Sequence, residues 1–156
     1  MDNINLMEYW ENSSDEDYNV MNVLYSNKKN SYSLFFGHLV IEKLLKGLYA
    51  KNNPENPIAP KIHNLILLSQ KANLEVPTEI REKIQTINTF NISARYDDYK
   101  KSFDAKCTDD YTMAVLMGMT WDIDARIEPH PITTEDFEKI SNPFVKEVVD
   151  TGIKVA

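Results

Sequence analysis

Apolar residues recur at helical spacing along most of this chain. Leu6, Met7, Tyr9, Trp10, Tyr18, Met21, Val23, Leu24 and Tyr25 form a stripe that predicts a long first helix over residues 6–25. Ser13-Ser14 ahead of Asp15-Glu16-Asp17 is also a helix-start pattern, so the stretch reads either as one helix or as two pieces. Ser26 to Ser31 reads as a turn. Tyr32 to Lys51 is apolar on most of its circumference, which suits the central helix of a bundle. Asn52-Asn53-Pro54, Pro57 and Pro60 then impose a loop, because proline lacks a backbone donor and disfavours helical geometry in the residue before it.

Ile62 to Ala72 has apolar residues at the spacing of a third, shorter helix. Val76-Pro77-Thr78-Glu79 supplies a break and a start signal for a fourth, which carries Ile80, Ile84, Ile87 and Phe90 on one face. No two-residue alternation is sustained in this part, so there is no case for a sheet. Beyond Cys107 the pattern changes. Thr108-Asp109-Asp110 caps a short helix with Met113, Val115, Leu116 and Met119, whereas Ile123 to Ile127 alternates like a strand and stops before Pro129. A last short helix is expected from about Pro143 to Asp150, with Gly152 as its stop signal.

The 156 residues suffice for one core with a small appendage. Charged residues at Glu42 and Lys43 interrupt the most apolar run, which falls short of the roughly 20 residues needed to span a bilayer, and no membrane association is expected. The first residues lack a basic region followed by an apolar stretch, and Cys107 is the one cysteine, so a reducing cytoplasmic location is expected, with neither disulfide nor cysteine-rich metal site. A net charge of -7 excludes a broad basic surface, so any grip on nucleic acid has to be local.

The run Tyr32-Ser33-Leu34-Phe35-Phe36-Gly37-His38-Leu39-Val40-Ile41-Glu42-Lys43-Leu44-Leu45-Lys46 resembles the second helix of HEPN domains, in which an apolar stretch leads into a Glu-Lys-x-x-Lys pattern. Ala94-Arg95-Tyr96-Asp97-Asp98-Tyr99 looks like the segment after that family's later helix, and Tyr9-Trp10 with Asp17-Tyr18 suits its first. The likeness implies an all-α, up-and-down helical bundle that forms a homodimer. It also implies a minimal nucleotidyltransferase partner, as in toxin–antitoxin pairs, and nucleotide or RNA as the ligand. The bundle is expected over residues 1–111, followed by a short irregular C-terminal extension with one candidate strand and a short helix.

RNA-cleaving members carry an Arg followed four to six residues later by His. Here Arg95 is followed by Tyr99, Lys100, Lys101 and Ser102, and His38, His63 and His130 all lie elsewhere in the sequence. Cleavage through the 2′-hydroxyl needs a group that moves protons near neutral pH, and imidazole is the side chain suited to it. The spacing therefore predicts weak or absent catalysis, and no catalytic residue is assigned beyond the candidates Arg95 and Tyr99. The candidate nucleotide or RNA contacts are Arg95, Tyr96, Tyr99, Lys100, Glu42 and Lys46: the guanidinium clamps phosphate and a tyrosine stacks on a base. By the resemblance, Tyr99 and then Tyr96 are candidate acceptors of a nucleotide from the partner. Each also has a plainer reading. Glu42 and Lys46 form an ordinary helical ion pair, His38 a hydrogen-bonded core group, His63 a surface or capping residue, and Arg95 a salt bridge to Asp97, Asp98 or an acidic residue across the bundle.

Residues 112–156, with Trp121-Asp122-Ile123-Asp124 and Glu128-Pro129-His130-Pro131, resemble the closing segment of a minimal nucleotidyltransferase. The Gly-Ser turn that precedes the metal-holding aspartates in such enzymes is missing, so this part reads as a remnant, without metal or cofactor. The leading expectation is a nucleotide- or RNA-binding module, a component or remnant of a toxin–antitoxin pair. The alternatives are a metal-independent endoribonuclease using Arg95 and an interaction protein for a nucleotidyltransferase.

Overall fold

The computed structural model describes residues 3–119. They form α1 (Asn3–Ser26), α2 (Asn30–Asn52), α3 (Leu65–Lys71), α4 (Thr78–Ser93), α5 (Asp97–Lys106) and α6 (Asp109–Met119), with no strand among the described residues. The all-α class expected from the periodicity is the class found. The expected strand at 123–127 and last helix at 143–150 lie outside the described residues.

The longest packed pair is α1 against α2. Ser33 Oγ donates to Met21 O, Lys43 pairs with Asp17 at 2.6 Å, and Lys46 reaches Trp10, so numbers fall along α1 as they rise along α2. The two helices are therefore antiparallel, as a short turn between them requires. Ser14 decides between one first helix and two. Its side chain is buried within the unbroken α1 and donates to Val40 O at 3.1 Å, so the hydroxyl bonds across the helix pair instead of capping a restart.

The loop after α2 is fastened at its start by asparagines. Asn52 Nδ2 donates to Ala72 O at 2.8 Å, and Asn53 Nδ2 donates to Tyr49 O at 2.9 Å. α3 begins at Leu65, later than the expected Ile62, because Asn64 is its cap: the Asn64 carboxamide oxygen accepts from Leu67 N at 3.0 Å. Asn73, at φ 55°, turns the chain away from the helix end, a conformation that asparagine tolerates. α4 starts after Pro77 as expected, with Glu79 in its first turn.

One feature escaped the periodicity. α5 buries one residue, Phe103, whose ring lies 5.3 Å from that of Phe90, so it has no apolar stripe to read. α6 is capped by Thr108 Oγ1, which accepts from Tyr111 N as the sequence predicts, and it runs unbroken through residues 111 and 112. Its Leu116 and Met119 join Leu34, Ile41, Leu45, Leu65, Leu68, Ile84, Ile87 and Phe90 in one core. Gly37 permits that approach, since a Cβ there would lie 2.8 Å from Met119 Sδ.

Candidate functional site

α2 is apolar on most sides, yet His38, Glu42 and Lys46 follow one another at four-residue spacing and form a polar line along it. All three are buried, with Glu42 only 4% exposed. A carboxylate in that position is tolerated only with close partners. It has two. Lys46 Nζ donates to Glu42 Oε1 at 2.6 Å, and His63 Nδ1 lies 3.1 and 3.0 Å from the two carboxylate oxygens. Lys46 is also held 5.0 Å from the centroid of the Trp10 ring, a cation–π contact from α1.

The donors can be assigned. A carboxylate oxygen accepts, so Nδ1 of His63 carries a proton. His38 Nε2 lies 3.2 Å from His63 O, another acceptor, so the His38 proton sits on Nε2 and its Nδ1 is bare. That Nδ1 is 3.8 Å from Glu42 Oε2 and has no hydrogen-bond partner among the described residues. Burial pushes His38 below its ordinary pKa, the neighbouring Glu42 charge and the hydrogen bond to the His63 carbonyl oppose this, and the charges of His63 and Arg95 act downward. For Glu42 burial acts upward, but the hydrogen bonds from Lys46 and His63 and the charges of both outweigh it and hold the carboxyl below its usual value.

The other candidates occupy the exposed corner between α4 and α5. Arg95 Nε donates to Asn91 O at 2.8 Å, and its guanidinium lies 6.0 Å from the Tyr96 ring centroid. Neither Asp97 nor Asp98 pairs with it, so the salt bridge of the plainer reading does not form. Tyr96 and Tyr99 are 56% and 58% exposed, and Lys100 bonds the Tyr32 hydroxyl and stacks on its ring. The six candidates thus fall into a buried set, Glu42 with Lys46, and an open set, Arg95, Tyr96, Tyr99 and Lys100.

His63 is the residue that sequence reading missed. It does not cap α3, a task that Asn64 performs, and its ring is 60% exposed while one edge is fixed on Glu42. The available signal was the polar line on α2: a buried carboxylate calls for partners, and a histidine just before a helix that packs on α2 is well placed to be one. Among the described residues no group of three or more His, Cys, Asp and Glu side chains is arranged to hold a metal.

A family model for the HEPN domain matches residues 7–117, most of the chain. This chain belongs to the HEPN domain family. No curated protein and no solved structure matches it significantly. The HEPN match takes in α2, the whole Glu42 cluster, the Arg95 corner and all of α6 but its last two residues. Among the described residues, no helix of this HEPN domain is long and apolar enough to cross a membrane.

Proposed function

We propose that this HEPN domain binds nucleotide or RNA at the Arg95 corner, as a component or remnant of a toxin–antitoxin pair. One observation carries the reading. Arg95 is anchored through Nε alone and has no ion pair among the described residues, which leaves the two terminal nitrogens of its fork for a phosphate. Exposed Tyr96 and Tyr99 beside it offer ring faces to a base, and Lys100 adds a second cation. With a net charge of -7 elsewhere opposing it, binding depends on this local constellation and on ionic strength.

The same reading includes a homodimer and a minimal nucleotidyltransferase partner, with residues beyond the bundle as a remnant of such an enzyme. Tyr99, then Tyr96, is the acceptor for a nucleotide from that partner, and both hydroxyls belong to exposed side chains.

Fluorescence anisotropy with a labelled single-stranded RNA and with ATP tests the binding. Arg95→Ala should weaken it by about ten-fold or more, the loss of a charged hydrogen-bonded contact. Equal affinity in the variant and the unaltered chain would remove the reading. A mass spectrum free of nucleotide adducts at Tyr99 and Tyr96, after incubation with the cognate enzyme and a nucleoside triphosphate, would remove the acceptor assignment.

A further inference from the structure

We propose that Tyr32 and Lys100 form a second phosphate subsite beside Arg95, so that the ligand of this corner is a single strand gripped at two neighbouring phosphate groups. The inference rests on the reading that the Arg95 corner holds nucleotide or RNA, and it brings Tyr32, at the start of α2, into that site.

The two side chains meet across two helices. Lys100 Nζ donates to the Tyr32 hydroxyl oxygen and lies 4.8 Å from the centroid of its ring. An ammonium carries three N–H donors and a phenol one O–H. The contact uses one N–H and one oxygen lone pair, which leaves two N–H groups of Lys100 and the O–H of Tyr32 for a further acceptor. Donation from a cation also polarises the hydroxyl and strengthens it as a donor in its turn. Lys100 has no ion pair among the described residues, and Tyr32 is 41% exposed, so the pair is open to a ligand. As a tether between helices the pair is not needed, because α5 is anchored by buried Phe103.

Tyr96 joins this subsite to Arg95. The guanidinium lies 6.0 Å from the Tyr96 ring centroid, and Tyr96 O accepts from Lys100 N at 3.0 Å in the first turn of α5. Tyr96 and Lys100 therefore stand one helical turn apart, about 5–6 Å between their Cβ atoms, with Arg95 one residue further back.

The donors select phosphate. Every group left over at Arg95, Tyr32 and Lys100 is a donor, two of the three side chains are cations, and a phosphate presents several oxygens to them at once. The spacing selects a strand. A polyphosphate joins its phosphorus atoms through one oxygen, whereas a strand sets a sugar between them and carries bases for the exposed rings of Tyr96 and Tyr99. Asp104 and Asp97 bear on Lys100 from the same helix, which also carries Asp98. These carboxylates keep the corner from acting as a broad basic surface, so affinity comes from direct contacts at two points.

The test follows binding of a labelled single-stranded RNA to the full chain by anisotropy, over a range of NaCl concentrations. Each phosphate contact on a single strand contributes about 0.7 to the slope of log affinity against log salt. Lys100→Ala should lower the slope by about that amount and weaken binding about ten-fold, as for a charge-assisted contact. Tyr32→Phe leaves the charge of the chain unchanged, yet it should lose most of the same slope and at least ~5-fold in affinity. The double variant should fall short of the product of the two single losses, because each donor depends on the other. Unlabelled 5′-phosphorylated diadenylate should displace the RNA at lower concentration than ATP does. A Tyr32→Phe chain that matches the unaltered one, or losses that multiply, overturns the subsite and leaves the Arg95 reading standing while Arg95→Ala still weakens binding. ATP competing as well as the dinucleotide overturns the strand as ligand. A chain that binds no RNA, or binds it equally after Arg95→Ala, overturns both readings.

Discussion

Lys46 Nζ lies 2.6 Å from Glu42 Oε1, one helical turn back along α2, and both side chains are almost wholly withdrawn from water. An ion pair at this spacing on a surface contributes a few tenths of a kcal/mol. Buried, it behaves differently, because neither charge has water to fall back on.

Removing one member should therefore be worse than removing both. Glu42→Ala strands the Lys46 ammonium and is expected to cost about 3 kcal/mol, in the range for a broken buried pair. Glu42→Leu with Lys46→Met should recover most of that loss. Urea unfolding of the two variants beside the unaltered chain measures both, and equal destabilisation would contradict the account.

Acid should weaken this fold in two stages. His38 is held below its ordinary value of 6.5, so the unfolded chain takes up its proton first, and stability falls as pH drops from that value through the folded pKa. Glu42 is held below its ordinary value of 4.5, so its contribution is complete above that value and is lost as pH falls through the lower folded pKa. The urea midpoint should be flat at pH 7 to 8 and decline below about 6.5, the ordinary value for histidine. His38→Gln should flatten the upper stage, and an unchanged profile in that variant would rule out His38 as its source.

α5 should detach when its anchor is removed. Phe103 is the one residue α5 buries, against Phe90 of α4. Phe103→Ala is expected to cost about 3 kcal/mol, as for other buried aromatic truncations. Amide exchange should rise over residues 97–106 well before it rises in α2. A uniform rise across all helices would show that α5 is held by something else.

Cys107 should be inert until the fold opens. It is buried, and burial, with Asp104 adding to it, pushes the thiol up to about 11. Iodoacetamide at pH 8 should leave it unmodified in the folded chain and alkylate it in urea, as read by intact mass. Rapid modification without denaturant would contradict its placement.

The bundle was legible because its long helices bury regular stripes. Leu34, Ile41 and Leu45 on α2, and Ile80, Ile84, Ile87 and Phe90 on α4, appear at the spacing that one face demands, and they are the residues found in the core. α5 was not legible, because Phe103 alone among its residues is buried and a single apolar position has no period. The site was half legible. Glu42 and Lys46 are neighbours on one helix, so their contact follows from α-helical geometry. The His63 contact spans 21 residues and a proline-containing loop, and nothing local encodes it.

The segment from Asn53 to His63 resembles a strap with a buckle at each end. Asparagines 52 and 53 fix one end to the α2 and α3 termini, while the imidazole and carbonyl of His63 fix the other to Glu42 and His38. Slack between two buckles is cheap, since doubling a flexible loop costs only about 0.6 kcal/mol in closure entropy. Residues can thus be gained or lost around Pro54 to Lys61 while the ring stays in register with α2. In this architecture the span between the fastenings is free to drift in length, and the fastenings themselves are not.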